Sequence, residues 1–162
     1  MKRRALVAVL ALLMTGAGAA QAPDPFVGAW LLNLQKSSFP GPPPARPYRL
    51  TFAQNADGSI LGIVFEFDEK GAQTAVARIT YRYDGKEYRD QDIRKGIPAP
   101  NTLAFTRIDV RTVEVVHRLQ QGKLVFKEIR RVAEDGRTMT FALDAKDITG
   151  TTVSVIQVFD RQ

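Results

Sequence analysis

The polar side chains best placed for chemistry in this sequence stand at alternate positions among apolar residues. His117 lies between Val115 and Leu119, and Arg107 comes two residues after Phe105. Alternate residues of a β-strand share a face, so both polar residues are predicted to point into the interior. A buried cation needs a partner, because an unpaired buried charge is very costly. A carboxylate or phosphate of a bound molecule is one such partner, which suggests a site for a small apolar molecule with one acidic end.

Each of these two polar residues also has a purely structural interpretation. Arg107 can pair with Asp109 at a strand end, and His117 can be a core histidine with satisfied hydrogen bonds. Aromatic residues predicted on the same inner face would line the ligand site or simply fill it; they are Tyr81, Tyr83, Phe65, Phe105 and Phe141. The sequence therefore predicts a ligand-binding set and leaves both interpretations open.

No pattern of residues points to catalysis. The chain has no cysteine and one histidine, which excludes thiolate nucleophiles, disulfides and zinc sites built on several imidazoles. The G-x-S-x-G elbow of a serine hydrolase is missing. Asp90-Gln91-Asp92 lacks the later ligands of a calcium loop. We therefore expect no catalytic residues, no metal and no cofactor, and an enzyme is the less favoured alternative.

The elements that would position the ligand-binding set are β-strands. The composition, 44% hydrophobic and 25% charged, is that of a folded soluble domain. Runs rich in Val, Ile, Thr, Phe and Tyr alternate with turn-type pairs, which are Asp57-Gly58, Lys70-Gly71, Asp84-Gly85, Gln121-Gly122, Asp135-Gly136 and Thr149-Gly150. Residues 93–101 form a predicted loop, and a further turn is predicted near Asp109. Long strands in one meander must protect their edges, so we predict an all-β, antiparallel up-and-down barrel of about 8–10 strands.

The alternation of apolar and polar residues also assigns faces to the predicted strands. The predicted inner face consists of Leu50, Phe52, Leu61, Ile63, Phe65, Phe67, Ile79, Tyr81, Tyr83, Leu103, Phe105, Val113, Val115, His117, Leu119, Met139, Phe141 and Leu143. Two segments stay ambiguous: residues 124–132 change phase near Lys127, as a bulge would make them, and residues 153–159 are apolar on both faces. The same alternation fits an outer-membrane barrel with its faces reversed, although four Tyr and one Trp are few for two aromatic girdles.

The first residues have the layout of a secretory signal peptide. Basic Lys2-Arg3-Arg4 precedes an apolar run that ends at Met14, and small residues follow. The run is too short to span a bilayer, which disfavours the alternative of a membrane anchor. We expect residues 1–20 to be a signal peptide and residues 21–162 to form one exported domain, periplasmic or extracellular. Removing three basic residues leaves 20 basic and 17 acidic side chains, a net charge of +3 instead of +6, which weakens the case for a nucleic-acid partner.

The start of this predicted domain, Phe26-Val27-Gly28-Ala29-Trp30, resembles the calycins, the lipocalins and fatty-acid-binding proteins that open their first strand with G-x-W. The resemblance implies a lipocalin-like barrel in which Gly28 allows close packing at the closed end and Trp30 plugs that end. It also implies that Arg161 corresponds to the arginine that calycins pack against this tryptophan. Residues 26–44, 134–140 and 158–160 are similar to a set of exported bacterial proteins of unassigned function.

The segment between the first two predicted strands, residues 37–47, contains five prolines in eleven residues. Proline lacks the backbone N–H that donates to the neighbouring strand of a sheet, so this segment is predicted to be a loop. A stiff lid over the barrel mouth, a polyproline ligand for a partner protein and a plain connection all fit this composition.

These observations predict an exported protein that binds a small apolar or amphipathic molecule in the barrel lumen, without a nucleic-acid partner or an integral membrane span. The alternative is a structural or protein-interaction barrel of the cell envelope with a filled interior and no ligand. The inner aromatic residues are compatible with both. A cavity of a few hundred cubic ångströms would favour binding.

Overall fold

The computed structural model describes residues 23–119, 124–146 and 152–162, and they form ten β-strands. The strands are β1 Gly28–Leu32, β2 Arg49–Gln54, β3 Ile60–Phe67, β4 Gln73–Tyr81, β5 Asp84–Asp92, β6 Ile97–Asp109, β7 Thr112–Leu119, β8 Leu124–Val132, β9 Thr138–Lys146 and β10 Thr152–Arg161. The predicted signal peptide, residues 1–20, and the predicted turns at Gln121-Gly122 and Thr149-Gly150 lie outside the described residues.

The strands close into a single antiparallel barrel in chain order. Each strand pairs with its neighbours in the sequence, and β1 also pairs with β10. This confirms the predicted all-β up-and-down barrel and fixes the number of described strands at ten. We call the end with residues 23–27 and the chain terminus the tryptophan end, because Trp30 lies near it. The opposite end, where residues 33–48 connect β1 to β2, is called the loop end. In the described ranges, no helix is long and apolar enough to cross a membrane.

The buried apolar side chains form one cluster inside the barrel. The largest fully buried members are Trp30, Phe105, Phe159, Ile60 and Met139. Their burial removes apolar surface from water, which is the main driving force for folding. Because these side chains occupy most of the lumen, only a small part of it remains open.

Three of the predicted turns join the strands where the sequence places them. Asp57-Gly58, Lys70-Gly71 and Asp135-Gly136 lie between β2 and β3, β3 and β4, and β8 and β9. Asp84-Gly85 differs, because it opens β5 and the turn occupies residues 82–83. The predicted loop at residues 93–101 is also shorter in the structure: β6 already begins at Ile97 and tolerates two prolines. Its pairing with β5 is irregular there, so fewer amide donors are needed.

The predicted faces of β3 are wrong. Gly62 pairs with Phe52, and Phe65 pairs with Arg49. Directly paired residues share a face, so Gly62 points inward and Phe65 points outward. A Cβ on Gly62 would lie 3.1 Å from the Phe52 ring, which explains the small residue on the inner face. Gly62 interrupts the apolar pattern on the inner face of β3. The outer face is apolar at every alternate position and therefore resembled a core face; its residues are Leu61, Ile63, Phe65 and Phe67.

The two ambiguous segments are resolved by their pairing. The register of β8 against β7 shifts between Phe126 and Leu124, close to the predicted bulge. Beyond it, Arg130 pairs with Phe141, which puts Arg130 on the inner face. In β10, Gln157 also pairs with Phe141 and points inward.

The strands β4 and β5 form the weakest seam of the barrel. They pair only through Ala77 with Asp92 and Arg78 with Gln91, near the loop end. Arg78 Nε donates to Gln91 Oε1 at 2.6 Å across this contact. Toward the tryptophan end no further residues of these two strands are paired.

The proline-rich segment is fixed to the barrel at its start. Ser38 exchanges two backbone hydrogen bonds with Ile156, of 2.7 and 3.0 Å, and Ser37 Oγ accepts one from the Val158 amide at 2.9 Å. Phe39 and Tyr48 pack against the core cluster. The residues between them are mostly exposed, as expected for a proline-rich loop at a barrel mouth.

Candidate functional site

A cavity of about 160 Å³ lies in the lumen where it meets the β4–β5 seam. Its walls are mainly apolar and include Phe52, Val64, Ile79, Leu103, Phe105 and Phe141. Three charged residues also border it: Arg130 from the inner face of β8, Asp90 from β5 and Arg78 from the outer face of β4. Because Arg78 and Asp90 belong to β4 and β5, the cavity reaches the seam between these two strands.

Two opposite charges lie side by side in the lumen. The Arg130 Nε donates to Glu128 Oε1, and the side chains are 12% and 8% exposed. The guanidinium also lies 4.2 Å from the centre of the Phe141 ring. Burial opposes ionisation of Glu128, but the neighbouring Arg130 and His117 hold the pKa of this carboxyl below its ordinary value. The pair is therefore ionised, and each charge is compensated by the other.

The ion pair is part of a larger polar group in the lumen. His117 Nε2 lies 3.5 Å from Glu128 Oε2, and the imidazole packs against Phe126 with ring centres 4.1 Å apart. Burial raises the pKa of Tyr48 to about 12; Glu128 adds to this, while Arg130 and a hydrogen bond with Gln157 oppose it. At neutral pH Tyr48 is a neutral hydroxyl beside the pair.

Arg130 and Glu128 were not among the predicted site residues. The alternation of β8 is ambiguous, because charged and apolar side chains occur on both faces of residues 124–132. The Asp135-Gly136 turn carries the signal that resolves it. Counting back from this turn places Val132 opposite Met139 and Arg130 opposite Phe141. Met139 and Phe141 both belong to the predicted inner face, so Val132 and Arg130 would share it. The pairing of β8 could thus have been anchored on the turn.

Three of the predicted aromatic residues come together in the lumen. Tyr81 stacks on Phe105 with ring centres 3.6 Å apart and planes 14° apart. Phe105 and Phe141 line the cavity with Arg130. Burial raises the pKa of Tyr81, so its hydroxyl is neutral. His117 belongs to the neighbouring polar group, whereas Phe65 lies on the outer face, where the Arg49 guanidinium is 4.8 Å from its ring centre.

The predicted site residues Arg107 and Tyr83 meet at the tryptophan end. Arg107 pairs with Asp24, not with Asp109, and its Nη1 donates to the Val110 carbonyl at 3.0 Å. The guanidinium lies 3.8 Å from the centre of the Tyr83 ring. Both residues border a depression of about 440 Å³ between the N-terminal segment and the adjacent turns. This space is larger than the lumen cavity, but it lies at the end of the barrel and its border includes Asp24, Gln54 and Arg107. The lumen cavity, with its mainly apolar walls, is therefore the better candidate site.

The three residues of the calycin resemblance lie in contact at the tryptophan end. The Arg161 guanidinium is 4.1 Å from the Trp30 ring centre and donates to three backbone carbonyls, those of Val27, Pro25 and Gly136, at 2.9, 2.6 and 2.6 Å. Gly28 has a φ of +138°, and a Cβ there would lie 2.6 Å from Arg161 Nη1. The positive φ favours glycine at this position, and a Cβ there would also force the Arg161 guanidinium to move.

The donor set of the described chain does not suggest a metal. No group of three or more His, Asp or Glu residues close enough to hold an ion occurs in residues 23–119, 124–146 and 152–162. The Asp90 and Asp92 side chains, which share a short segment, lie in different surroundings: Asp92 is near Arg94 and Lys95, and Asp90 borders the cavity.

Comparison with solved structures identifies the type of barrel. The chain superimposes on the fluorescent protein UnaG with a TM-score of 0.57 over 85% of this chain and 97% of that one, at 14% sequence identity. For zebrafish ileal bile acid-binding protein, solved with cholic acid, the TM-score is 0.55 at 10% identity, over 85% and 99% of the two chains. The barrel is calycin-like. As-p18, an extracellular fatty acid binding protein, has a TM-score of 0.52 at 14% identity, over 86% and 98%.

These identities are low, so the likeness concerns the calycin-like fold alone. No protein-family model matches the sequence, and no curated protein matches it. The calycin-like architecture inferred from G-x-W is thus confirmed, while the similarity to exported bacterial proteins stays a prediction.

Proposed function

We propose that this chain is an exported protein that binds a small apolar or amphipathic molecule in the lumen of its calycin-like barrel. The observation that carries the proposal is the lumen cavity, with its apolar walls and its polar groups at the border. Sites of this composition are typical of small-molecule binding, because apolar walls give affinity and a few polar groups fix orientation. Structural neighbours that are named for binding a bile acid or a fatty acid support it.

The size of the cavity limits the ligand. At about 160 Å³ it is smaller than the few hundred cubic ångströms that would favour binding over a filled interior. Apolar cavities of about 150 Å³ hold a molecule of the size of benzene. We therefore infer a ligand of one ring or a short chain, because a long acyl chain would have to displace the buried side chains of the core.

The proposal is tested by titrating the protein with benzene and following backbone amide signals by NMR. Saturable shifts should concentrate around Phe105 and Phe141. Val64→Phe adds a ring to the cavity wall and should abolish them. Ile156→Phe adds the same ring on the exposed outer face of β10 and should leave them unchanged. Shifts that are absent, or that survive Val64→Phe, contradict binding in the lumen.

The competing function is a structural or protein-interaction barrel with a filled interior. The dense packing of Trp30, Phe105, Met139 and Phe159 favours it. A ligand retained by the protein when it is purified from its host, detected by native mass spectrometry, would decide for binding. Its absence together with no benzene binding would decide for the competing function.

The proposed export rests on the signal-peptide layout of residues 1–20. N-terminal sequencing of the protein recovered from periplasmic and culture fractions tests it. A mature chain that begins near Gln21 is the expected result, whereas a chain that retains Lys2-Arg3-Arg4 and stays in the cytoplasm contradicts it.

A further inference from the structure

The charge of Arg130 does not call for an acidic ligand. Its partner Glu128 already lies beside it in the lumen, and together the two side chains are neutral. A ligand carboxylate that approached Arg130 would be placed near the Glu128 carboxylate, in surroundings where like charges repel more strongly than in water. The sequence predicts a ligand with an acidic end group, but Glu128, which was not among the predicted site residues, disfavours such a group.

Unlike Arg130, the Asp90 carboxylate at the cavity has no partner of opposite charge among the described residues. Asp90 borders it and is partly buried. The Asp90 carboxylate accepts a hydrogen bond from the Gln91 amide at 2.7 Å, and no Lys, Arg or His nitrogen of the described residues lies within 4.0 Å of it. Two positions on, Asp92 by contrast lies 3.9 Å from Arg94 Nε and 3.8 Å from Lys95 Nζ.

The remaining charged residue at the cavity, Arg78, is not expected to pair with a charged group of the ligand. Its Nε is bonded to Gln91, and the residue is exposed on the outer face of the barrel. Water and salt screen an exposed charge strongly. Arg130 borders the cavity and is neutralised by Glu128, which does not itself line it. Asp90 therefore remains as the partly buried charge at the cavity without a counter-charge.

We propose that the lumen site selects a small ring compound that bears a protonated amine, with Asp90 pairing with the ammonium at the β4–β5 seam. The ring would lie deeper, against Phe105 and Phe141, and the cavity volume fits one ring. This proposal rests on the proposed function, since it names the class of ligand for the same cavity.

Three probes of nearly equal size separate the head groups: benzylamine, benzyl alcohol and benzoate. Their dissociation constants are measured at pH 7 and low salt by NMR titration of the full chain. We expect benzylamine to bind about tenfold more tightly than benzyl alcohol, the scale of one modest charge contact, and benzoate to bind most weakly. Asp90→Asn should reduce the ratio of amine to alcohol to about one without changing the binding of the alcohol.

The matched control is Asp92→Asn, which removes the same charge from the same strand at a site that does not border the lumen cavity. It should retain the amine preference. Equal binding of the three probes, a preference for benzoate, or an amine preference that survives Asp90→Asn would overturn the proposal while leaving binding in the lumen intact. Failure of benzene itself to bind would instead refute the proposed function.

Discussion

Arg161 at the tryptophan end and Arg130 in the lumen both pack against aromatic rings, but their hydrogen-bond partners differ in kind. Arg161 is bonded to three backbone carbonyls and lies over Trp30 near solvent. Arg130 is buried, lies over Phe141 and depends on the Glu128 side chain. The first cation is held by groups that no substitution removes, and the second by a group that one substitution can neutralise.

This difference predicts a role in stability alone for the tryptophan end and a role in both stability and ligand preference for the lumen. Carbonyl dipoles satisfy Arg161 without adding a counter-charge, so no side-chain substitution can leave this cation without its hydrogen-bond acceptors. In the lumen, Arg130 and Asp90 border the cavity, and Glu128 neutralises Arg130. Single substitutions there should therefore change both stability and ligand preference, whereas substitutions at the tryptophan end should change stability alone.

The largest effect is expected for Glu128→Gln. It leaves the buried Arg130 without its counter-charge, which should lower the free energy of unfolding by about 3–5 kcal/mol. Chemical denaturation measures this loss. The matched control is Glu114→Gln on the outer side of β7, where the half-buried Glu114 has its Oε2 3.2 Å from the Nζ of the exposed Lys127. That change should cost less than about 1 kcal/mol.

The double variant Glu128→Leu with Arg130→Met separates a lost charge balance from lost packing. Replacing both members of a buried pair by apolar residues is often neutral. It should recover most of the stability lost in Glu128→Gln. A double variant as unstable as the single one would show that the pair is not held by mutual compensation.

A second effect is expected at alkaline pH. The folded pKa of Tyr48, about 12, is above the ordinary value of 10.0. A raised pKa contributes stability that is fully present below pH 10 and is lost as the pH rises to 12, and two units correspond to at most about 2.7 kcal/mol. Tyr48→Phe should therefore flatten the decline of unfolding free energy between pH 10 and 12. An unchanged decline would mean that Tyr48 ionises as freely in the folded as in the unfolded chain.

At the tryptophan end, Arg161→Ala removes three hydrogen bonds and the contact with the indole. Because these contacts are partly solvated, we expect a loss of about 2 kcal/mol. Trp30 is the single tryptophan, so its fluorescence reports the change directly. Arg137→Ala, in the turn that contacts Arg161, is exposed and should stay within about 0.5 kcal/mol of the wild type. Benzene binding altered by Arg161→Ala would break the separation between end and interior.

The sequence was sufficient for the architecture because turns and alternation are local signals. Regularly spaced turn pairs and long strands lead to a closed meander, and the ten described strands form one. The calycin resemblance carried by G-x-W also implied the contact of Arg161 with Trp30, which the structure contains.

The candidate site was less accessible, because strand faces depend on register. In β3, Gly62 hides the inner face, and in β8 the charges Glu128 and Arg130 looked like surface residues. Buried ion pairs run against the pattern on which face assignment relies. The partner of Arg107 lies 83 positions away at Asp24, a distance at which the sequence contains no signal for pairing.

The smallest effect is expected for the residue whose face was reversed. Phe65→Leu removes an aromatic face from Arg49 on the outside of the barrel, so it should cost about 0.5–1 kcal/mol and leave benzene binding unchanged. Phe105→Leu is the matched change inside, where the ring stacks on Tyr81 and lines the cavity, and it should alter benzene binding. Denaturation and NMR titration of both variants give the comparison. If Phe65→Leu changed benzene binding as strongly as Phe105→Leu, the register of β3 described above would be wrong, because a residue paired with Arg49 cannot reach the lumen.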